Sequence, residues 1–486
     1  MNPEKTIAEI IKNKESVYFI GIKGTGMCAL AELLSGAGAR VSGSDTADIF
    51  YTDAILKDLG IPYFESFDKS HIKDETALVI HSAAYGADRN PEMAEALRRG
   101  IPLVKYTDAL GAYSALFDSS GVAGVHGKTT TTAIAGTLLA AAKLPAQILA
   151  GSAVASFGGR STLGIGNKYF VAETCEYRKH FLSFHPRRVL LTGVESDHQD
   201  FFPDYEAIRN AFVEYGERIK SGGELIYCAD DPGACETAAL LQKKRNDIKY
   251  TEYGFGAQGL YKIKNYRTEN EESVFELDGI PHIWTVRIPG RHTVLNSAGA
   301  LALVKAIADR EGRPLDGDTL RDMAVSLAAF SGSKRRSEII GNAGGILFMD
   351  DYAHHPTAIK TTLAGLKEFY PGRRLVVSFM SHTYSRTAAL FEDFARAFED
   401  ADIVFLHKIY ASARESYNGG VSGPLLYEKT KTLHGNVNYS GEPLDAIPAL
   451  KSVLRPGDLF ITMGAGDNWK LCEALFKYYK ESGAAE

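Results

Sequence analysis

The sequence has few cysteines, and they form no pattern. Five occur among 486 residues, and no two stand in a Cys-x-x-Cys pair. Disulfide frameworks and structural zinc centres usually need an even, regularly spaced set. The cysteine content therefore argues against both and favours a reducing compartment, so we expect a cytoplasmic protein.

An excess of positive charge and a long apolar run are also lacking. Lys and Arg number 54 against 60 Asp and Glu, a net charge of −6, so we expect no nucleic-acid partner. The most apolar stretch, residues 133–142, ends at Lys143 and is too short to span a bilayer. The first residues show no apolar leader segment. We predict no insertion into a membrane.

What is present is an ordinary globular composition, 45% hydrophobic and 23% charged, over a length typical of about three domains. Short β-rich apolar runs alternate with helical patterns in the first and last thirds, which predicts an α/β fold with parallel sheets. Asp278-Gly279 between two alternating runs predicts a small antiparallel hairpin near the end of the middle third. We place the domains at residues 1–112, 113–332 and 333–486.

The sharpest local motif is residues 124–131, Gly-Val-His-Gly-Lys-Thr-Thr-Thr, at a predicted strand-to-helix switch. Glycines let backbone N–H groups face a phosphate, Lys128 adds a point charge, and the Thr129 hydroxyl can bind Mg²⁺. Because position 122 is valine, the motif is a shortened phosphate-binding loop. The alternative is a glycine-rich turn with an exposed lysine.

Carboxylates follow two apolar runs of the middle third. Glu173 ends the run 169–172, Glu176 lies three positions on, and Glu195-Ser196-Asp197-His198 follows the next run. Carboxylate oxygens, with one imidazole, suit Mg²⁺, and ligands gather at the carboxyl ends of parallel strands. The pattern predicts a metal site, although each residue alone is more typical of a charge on a solvated loop.

A second glycine motif, Gly24-x-Gly26-x-x-Ala29, follows the first predicted strand, and Asp45 lies about 20 residues further on. This arrangement indicates a diphosphate at a helix N-terminus. A dehydrogenase and a nucleotide-sugar binder share it, and a tight turn with close helix packing is the third interpretation.

Three downstream segments carry further candidates. Residues 290–296 precede a helix, and residues 331–336 combine a glycine with a run of basic side chains. Residues 350–356, with two acids and two histidines, end a buried run, and residues 382–386 follow the next one. Because the carboxyl ends of parallel strands meet at one edge, the last two segments can converge on one crevice.

In this order, the motifs resemble the Mur ligase family along the whole chain. The most specific segments are residues 124–131, 173–178, 350–356 and 381–387. The resemblance implies a Rossmann-like N-terminal domain for a UDP-linked substrate and a P-loop ATPase-like central domain with the antiparallel appendage. It implies a Rossmann-like C-terminal domain for the amino acid.

The resemblance further implies a ligase of peptidoglycan precursor synthesis that uses ATP and Mg²⁺. In the matching branch, ATP phosphorylates the carboxylate of UDP-N-acetylmuramate and L-alanine attacks the acyl phosphate. A monomer or a homodimer is expected.

Site residues are implied position by position. The catalytic residues would be Lys128, Glu173 and His198, and the metal ligands Thr129, Glu173 and His198. ATP would contact Gly124, Val125, His126, Gly127, Lys128, Thr129, Thr130, His292, Asn296, Arg336 and Asp351. The UDP-linked substrate would contact Gly24, Thr25, Gly26, Met27, Asp45 and Ser82. The amino acid and the acceptor carboxylate would meet Tyr352, His354, His355 and Arg386.

Three other functions stay open at this point. A peptide-recycling ligase would join a preformed peptide to the same nucleotide sugar and differ only in the C-terminal pocket. A nicotinamide dehydrogenase would use Gly24 and Gly26 but leave the Gly-Lys-Thr loop unexplained. A non-catalytic nucleotide-binding regulator would release no phosphate with any acceptor.

Overall fold

The computed structural model describes residues 3–411, 417 and 419–483. The chain divides into two compact units. The first comprises Met1–Val194, Arg209–Tyr253 and Gly299–Thr319, and the second Glu195–Ile208, Gly254–Ala298 and Leu320–Glu486. Within the described ranges, no helix is long and apolar enough to cross a membrane.

The first unit begins with a five-stranded parallel sheet of order β3-β2-β1-β4-β5. Its central strand is apolar and buried on both faces, as parallel sheets covered by helices require. The strands are β1 (Ser16–Ile20), β2 (Arg40–Ser44), β3 (Tyr63–Phe64), β4 (Thr76–His81) and β5 (Leu103–Lys105). The helices are α1 (Pro3–Asn13), α2 (Thr25–Gly36), α3 (Thr52–Asp58), α4 (Pro91–Arg98) and α5 (Tyr106–Ser114).

A seven-stranded sheet of order β12-β11-β10-β6-β9-β7-β8 follows in the same unit. All neighbours pair in parallel except β8, which runs antiparallel to β7. The strands are β6 (Asp118–Ala123), β7 (Ala146–Val154), β8 (Arg160–Gly164), β9 (Tyr169–Glu173), β10 (Arg188–Leu191), β11 (Glu224–Cys228) and β12 (Lys249–Tyr253). The helices are α6 (Lys128–Ala141), α8 (Pro232–Gln242) and the part of α7 (Tyr205–Glu217) from Arg209 onward, since residues 205–208 belong to the second unit.

Helix α2 of the first sheet is tied to strand β8 of the second. The Glu32 carboxylate accepts a hydrogen bond from Arg160 Nη1 at 2.6 Å and another from the Thr162 hydroxyl. The Glu32 and Arg160 side chains are both more than half buried, so water screens this contact less than an exposed pair. The tie fixes the helix that begins directly after the Gly24 turn.

The second unit contains a three-stranded antiparallel sheet, β13 (Ile263–Glu269), β14 (Glu272–Leu277) and β15 (Ile280–Val286). The predicted hairpin at Asp278-Gly279 is confirmed as the turn between β14 and β15. Trp284 is fully buried on this sheet. Two helices follow along the chain, α9 (Arg291–Glu311) and α10 (Gly317–Ala328).

A six-stranded sheet completes the second unit, with the order β16-β17-β21-β18-β19-β20 and only β16 antiparallel to its neighbour. The strands are β16 (Glu338–Ala343), β17 (Ile346–Asp351), β18 (Arg374–Met380), β19 (Ile403–Leu406), β20 (Val437–Tyr439) and β21 (Asp458–Gly464). The helices are α11 (Pro356–Phe369), α12 (Tyr384–Ala389), α13 (Phe391–Ala395), α14 (Gly423–Lys431), α15 (Ile447–Val453) and α16 (Asn468–Gly483).

The predicted α/β class with three α/β segments and a small antiparallel appendage is confirmed. The strand order places β1, β6 and β21 inside their sheets, where apolar side chains are needed on both faces. The domain boundaries near residues 112 and 332 stay predictions.

A buried histidine follows β19 in the six-stranded sheet. His407 Nε2 lies 2.8 Å from the Ser378 hydroxyl oxygen, and Nδ1 lies 3.0 Å from the Ser440 carbonyl oxygen. Burial lowers the pKa of His407 to about 4, although the Ser440 carbonyl opposes the shift. The folded chain therefore holds this imidazole in its neutral form.

Replacing this histidine should flatten the acid dependence of stability. Between the unfolded pKa of about 6.5 and the folded pKa of about 4, the unfolded chain binds more protons. The wild-type chain should thus lose about 2 kcal/mol from this group between pH 7 and pH 5. Urea unfolding of wild type and His407→Gln at both pH values measures it, and the stability gap between them should narrow at pH 5. An equal gap at both pH values contradicts the prediction.

Candidate active site

The glycine motif at residues 124–131 forms the loop between β6 and α6. Gly124 has φ 135° and Gly127 has φ 77°, backbone conformations that residues with a side chain rarely adopt. A Cβ atom at Gly124 would lie 2.1 Å from the Thr192 hydroxyl oxygen, so the loop packs closely on the end of β10. The Val125 N–H donates to the Gly193 carbonyl at 3.0 Å. Thr192 and Gly193 belong to no motif of the sequence, so their contacts with the loop were not predicted.

Lys128 is the first residue of α6, and its ammonium is paired. Its Nζ lies 2.9 Å from Glu176 Oε2 and 2.5 Å from the Gly124 carbonyl oxygen. Burial alone would lower the pKa of Lys128, but Glu176 raises it above the ordinary value, so the ammonium stays charged. Glu176 was noted beside Glu173 but not assigned a role, and the structure gives it one.

Thr129 and Glu173 converge beside this loop. The Thr129 hydroxyl donates to Glu173 Oε2 at 2.7 Å, and Glu173 stands opposite Val122 in the β6–β9 ladder. A Cβ atom at Gly151 would lie 2.2 Å from the same carboxylate oxygen, so only glycine leaves space for it. A hydroxyl and a carboxylate are oxygen donors that suit Mg²⁺. These two residues therefore fit the predicted metal site.

A cavity of about 660 Å³ lies in the first unit. The predicted UDP-substrate residues Gly24, Thr25, Gly26, Met27 and Ser82 all line it. The lining also includes Glu173 and the basic side chains Lys105, Arg178, Lys179 and His180. The cavity thus joins the N-terminus of α2 to positive charge and to the end of β9, as an anionic ligand requires.

Asp45 differs from the other predicted UDP-substrate residues because it is outside the cavity lining. Its carboxylate accepts from the Lys23 N–H at 2.7 Å, the Thr46 N–H at 2.8 Å and the Tyr85 hydroxyl at 3.1 Å. These bonds hold the glycine loop against the loop after β2. A direct contact between Asp45 and a substrate stays a prediction.

The loop after β10 carries His198 in the second unit. His198 has φ 55°, a left-handed conformation that costs a non-glycine residue energy. Its carbonyl accepts from the N–H groups of Phe201 and Phe202, both at 2.8 Å. Asp197, one residue earlier, accepts from Arg386 Nε and Nη2, each at 2.8 Å. The structure thus brings the predicted metal ligand and a predicted amino-acid residue to one place in this unit.

The two histidines after β17 have different surroundings. His354 is half-buried, with Nδ1 2.8 Å from the Tyr352 carbonyl oxygen. Burial and then the Arg386 charge lower the pKa of His354 well below its ordinary value, so its imidazole is neutral. His355 precedes α11, with Nδ1 3.2 Å from Glu195 Oε1. His354 is therefore the histidine beside Arg386.

Of the two ATP contacts predicted from the last third, Asp351 already forms hydrogen bonds within the chain. The Asp351 carboxylate accepts from the Ser337 N–H at 2.6 Å and the Ala353 N–H at 2.7 Å. The Arg336 guanidinium lies 5.3 Å from the centre of the Tyr352 ring. Arg335, which sequence analysis did not select, donates to Asp350 Oδ2 at 2.8 Å. Arg335 therefore has a structural role in the chain. The contact of Arg336 with ATP stays a prediction.

His292 and Asn296 lie one turn apart at the start of α9. The intervening Thr293 is buried, and its hydroxyl donates to the Pro289 carbonyl at 3.0 Å. A Cβ atom at Gly290 would lie 2.3 Å from the His292 ring, so the glycine gives the imidazole its space. The structure places both predicted adenosine residues on one helix face, and their contacts with ATP stay predictions.

Comparison with known proteins defines the class. Models described as "Mur ligase family, catalytic domain", "Mur ligase middle domain" and "Mur ligase, glutamate ligase domain" match residues 16–118, 122–304 and 335–466. These matches cover most of the chain. The chain belongs to the Mur ligase family, whose members are ATP-dependent ligases.

Two curated relatives and two solved structures narrow the likeness. UDP-N-acetylmuramate–L-alanine ligase of Treponema pallidum is 51% identical over 96% of this chain and 97% of its own length. The enzyme of the same name from Borreliella burgdorferi is 37% identical over 95% of this chain and 98% of its own length. The Thermotoga maritima UDP-N-acetylmuramate–alanine ligase structure has a TM-score of 0.74 at 25% identity, covering 96% of this chain and 99% of that one. A murein peptide ligase structure from Psychrobacter arcticus has a TM-score of 0.66 at 23% identity, and the match covers 96% of this chain and 99% of that one. At this identity the likeness supports the fold alone.

Replacement of Lys128 should separate activity from stability. Lys128→Ala should lower phosphate release from ATP by about 10²-fold or more, because a charge that meets the transferred phosphoryl group is lost. It should also destabilise the chain by about 3 kcal/mol, because the buried Glu176 carboxylate loses the Lys128 charge. Lys128→Ala/Glu176→Gln should recover most of the thermal stability and none of the activity. Recovery of activity in the double variant would contradict the assignment.

Glu173→Gln should raise the Mg²⁺ concentration that gives half-maximal activity. A neutral amide oxygen is a poorer ligand than a carboxylate for a hard cation. Magnesium titrations of phosphate release on wild type and variant measure the change. Glu217→Gln, the same substitution at an exposed position of α7, is the control. Equal titration curves for Glu173→Gln and wild type would show that Glu173 does not hold the metal.

Proposed function

We propose that this chain joins L-alanine to the carboxylate of UDP-N-acetylmuramate at the expense of ATP, in cytoplasmic peptidoglycan precursor synthesis. The carrying observation is the Lys128–Thr129–Glu173 arrangement at the phosphate loop of a chain that matches ligases of this name along its length. The products would be the amide, ADP and phosphate.

The first step is phosphoryl transfer from ATP to the muramyl carboxylate. A carboxylate oxygen attacks the γ-phosphorus, the bond to the β-phosphate bridging oxygen breaks, and ADP leaves with that electron pair. Lys128 places a fixed positive charge where negative charge develops, and the loop N–H groups and the N-terminus of α6 act on the same anion. Thr129 and Glu173 would hold Mg²⁺, which would neutralise phosphate charge.

The second step is attack by the amine of L-alanine on the acyl phosphate carbonyl. The C–N bond forms, the C–O bond to phosphate breaks, and the amine nitrogen releases a proton. Arg386 is the cation suited to the amino-acid carboxylate, since a guanidinium binds carboxylates through paired N–H groups. The neutral His354 beside it adds no positive charge that would repel L-alanine, which arrives as an ammonium and loses a proton before the amine attacks.

The nucleotide sugar is assigned to the 660 Å³ cavity. Its diphosphate would meet the N-terminus of α2 at Gly24–Gly26, and the basic lining would neutralise the remaining charge. Glu173 reaches the same cavity, which supports delivery of the muramyl carboxylate to the phosphate loop. A monomer or homodimer stays a prediction.

Phosphate release decides among the functions. Wild-type protein with ATP, Mg²⁺, UDP-N-acetylmuramate and L-alanine should release phosphate, and omission of either acceptor substrate should abolish sustained release. The same assay with the tripeptide L-alanyl-γ-D-glutamyl-diaminopimelate tests the peptide-recycling alternative. Release with the tripeptide and not with L-alanine overturns the proposal. No release with either acceptor indicates a non-catalytic nucleotide binder, and a change in nicotinamide absorbance would indicate a dehydrogenase.

A further inference from the structure

Asp197 gathers several site elements on one carboxylate oxygen. Its Oδ1 accepts from Arg386 Nε and Nη2, each at 2.8 Å, and from the His198 N–H at 2.7 Å. Asp197 and Arg386 are 189 positions apart in sequence, so only the fold of the second unit makes this contact. One atom thus joins the loop after β10 to the segment after β18.

The pair is withdrawn from water, with the Asp197 side chain 5% exposed and that of Arg386 6%. Both guanidinium nitrogens lie 2.8 Å from Asp197 Oδ1, so the two side chains form a close ion pair inside this unit. A buried ion pair adds little net stability compared with apolar packing, so the contact needs an explanation other than stability.

The contact fixes the orientation of the guanidinium. Nε and Nη2 are directed to Asp197, and Nη1 donates to the His382 carbonyl at 2.6 Å. Asp197 therefore holds the Nε edge of the group, and the His382 carbonyl holds Nη1.

The same oxygen supports the strained backbone of His198. A left-handed φ at a non-glycine residue persists only where the surroundings hold it. The hydrogen bond from the His198 N–H to Asp197, with the two bonds to the His198 carbonyl, supplies that restraint.

We propose that Asp197 is a positioning residue of the ligase site, which orients the Arg386 guanidinium toward the amino-acid carboxylate and holds the backbone of His198. This inference rests on the proposed function. Both Arg386 of the amino-acid subsite and the predicted metal ligand His198 then depend on one buried carboxylate, which acts through them.

The test uses Asp197→Asn, which keeps the shape and removes the charge. The KM for L-alanine should rise about tenfold, because the guanidinium loses its charge-assisted bonds. The Mg²⁺ concentration for half-maximal activity should rise as well, while the KM for UDP-N-acetylmuramate stays within about twofold, because its cavity lies in the first unit. Glu206→Gln, the same charge change at an exposed position of this unit, is the matched control and should match wild type.

Two further variants keep the inference falsifiable. Asp197→Glu keeps the buried charge but shifts the carboxylate, so it should fold and still raise the KM for L-alanine. The single variant Arg386→Lys should raise the KM for L-alanine. The double variant Arg386→Lys/Asp197→Asn should raise that KM little further, because the two substitutions act through one contact.

The outcomes separate the inference from the proposed function. Wild-type protein that releases no phosphate with L-alanine overturns the proposed function. Active wild type with an unchanged KM in Asp197→Asn and Asp197→Glu overturns the inference, and a lower melting temperature alone would then mark Asp197 as structural. A fall in the KM for L-alanine would also overturn it, because Asp197 would then compete with the substrate carboxylate for Arg386.

Discussion

The first unit depends on keeping the Lys128 ammonium charged where little water reaches it. The Lys128 side chain is 12% exposed and that of Glu176 is 3% exposed. An unpaired charge in such a place is strongly unfavourable. The pair therefore links the start of α6 to the segment after β9. Because a one-residue shift reverses every side chain of a strand, the Thr129–Glu173 contact depends on the same β6–β9 register.

Much of the fold could be predicted because buried parallel strands are continuous apolar runs. The apolar runs that precede Glu173 and Asp350 are strands in the structure, as predicted, and form β9 and β17. The Mur ligase resemblance, which rested on motif order, is also confirmed. Several strands were not predicted, β13 and β20 among them. β13 is an edge strand rich in charged side chains and β20 has three residues, so neither carries a strong apolar signal.

The candidate site shows where sequence reasoning stops. Glycine, lysine and threonine at the phosphate loop could be predicted because their spacing along the chain is itself the signal. Asp45 and Asp351 could equally bind a ligand or hold their own loops, and the hydrogen bonds formed are visible only in three dimensions. Gly151 was missed for a related reason. Its contribution is the absence of a Cβ atom beside Glu173, and its partner lies in another strand.

The tie between Glu32 and strand β8 bears on how such proteins can be recombined. One way to change which nucleotide sugar a protein binds is to exchange its N-terminal Rossmann-like segment for that of a relative. Here the helix that starts at the substrate loop makes side-chain hydrogen bonds to Arg160 and Thr162 of the neighbouring sheet. A chimera joined near residue 112 would have to carry compatible partners at these positions, or a buried acid would face a foreign surface. Helix α2 and strand β8 would therefore have to be exchanged together.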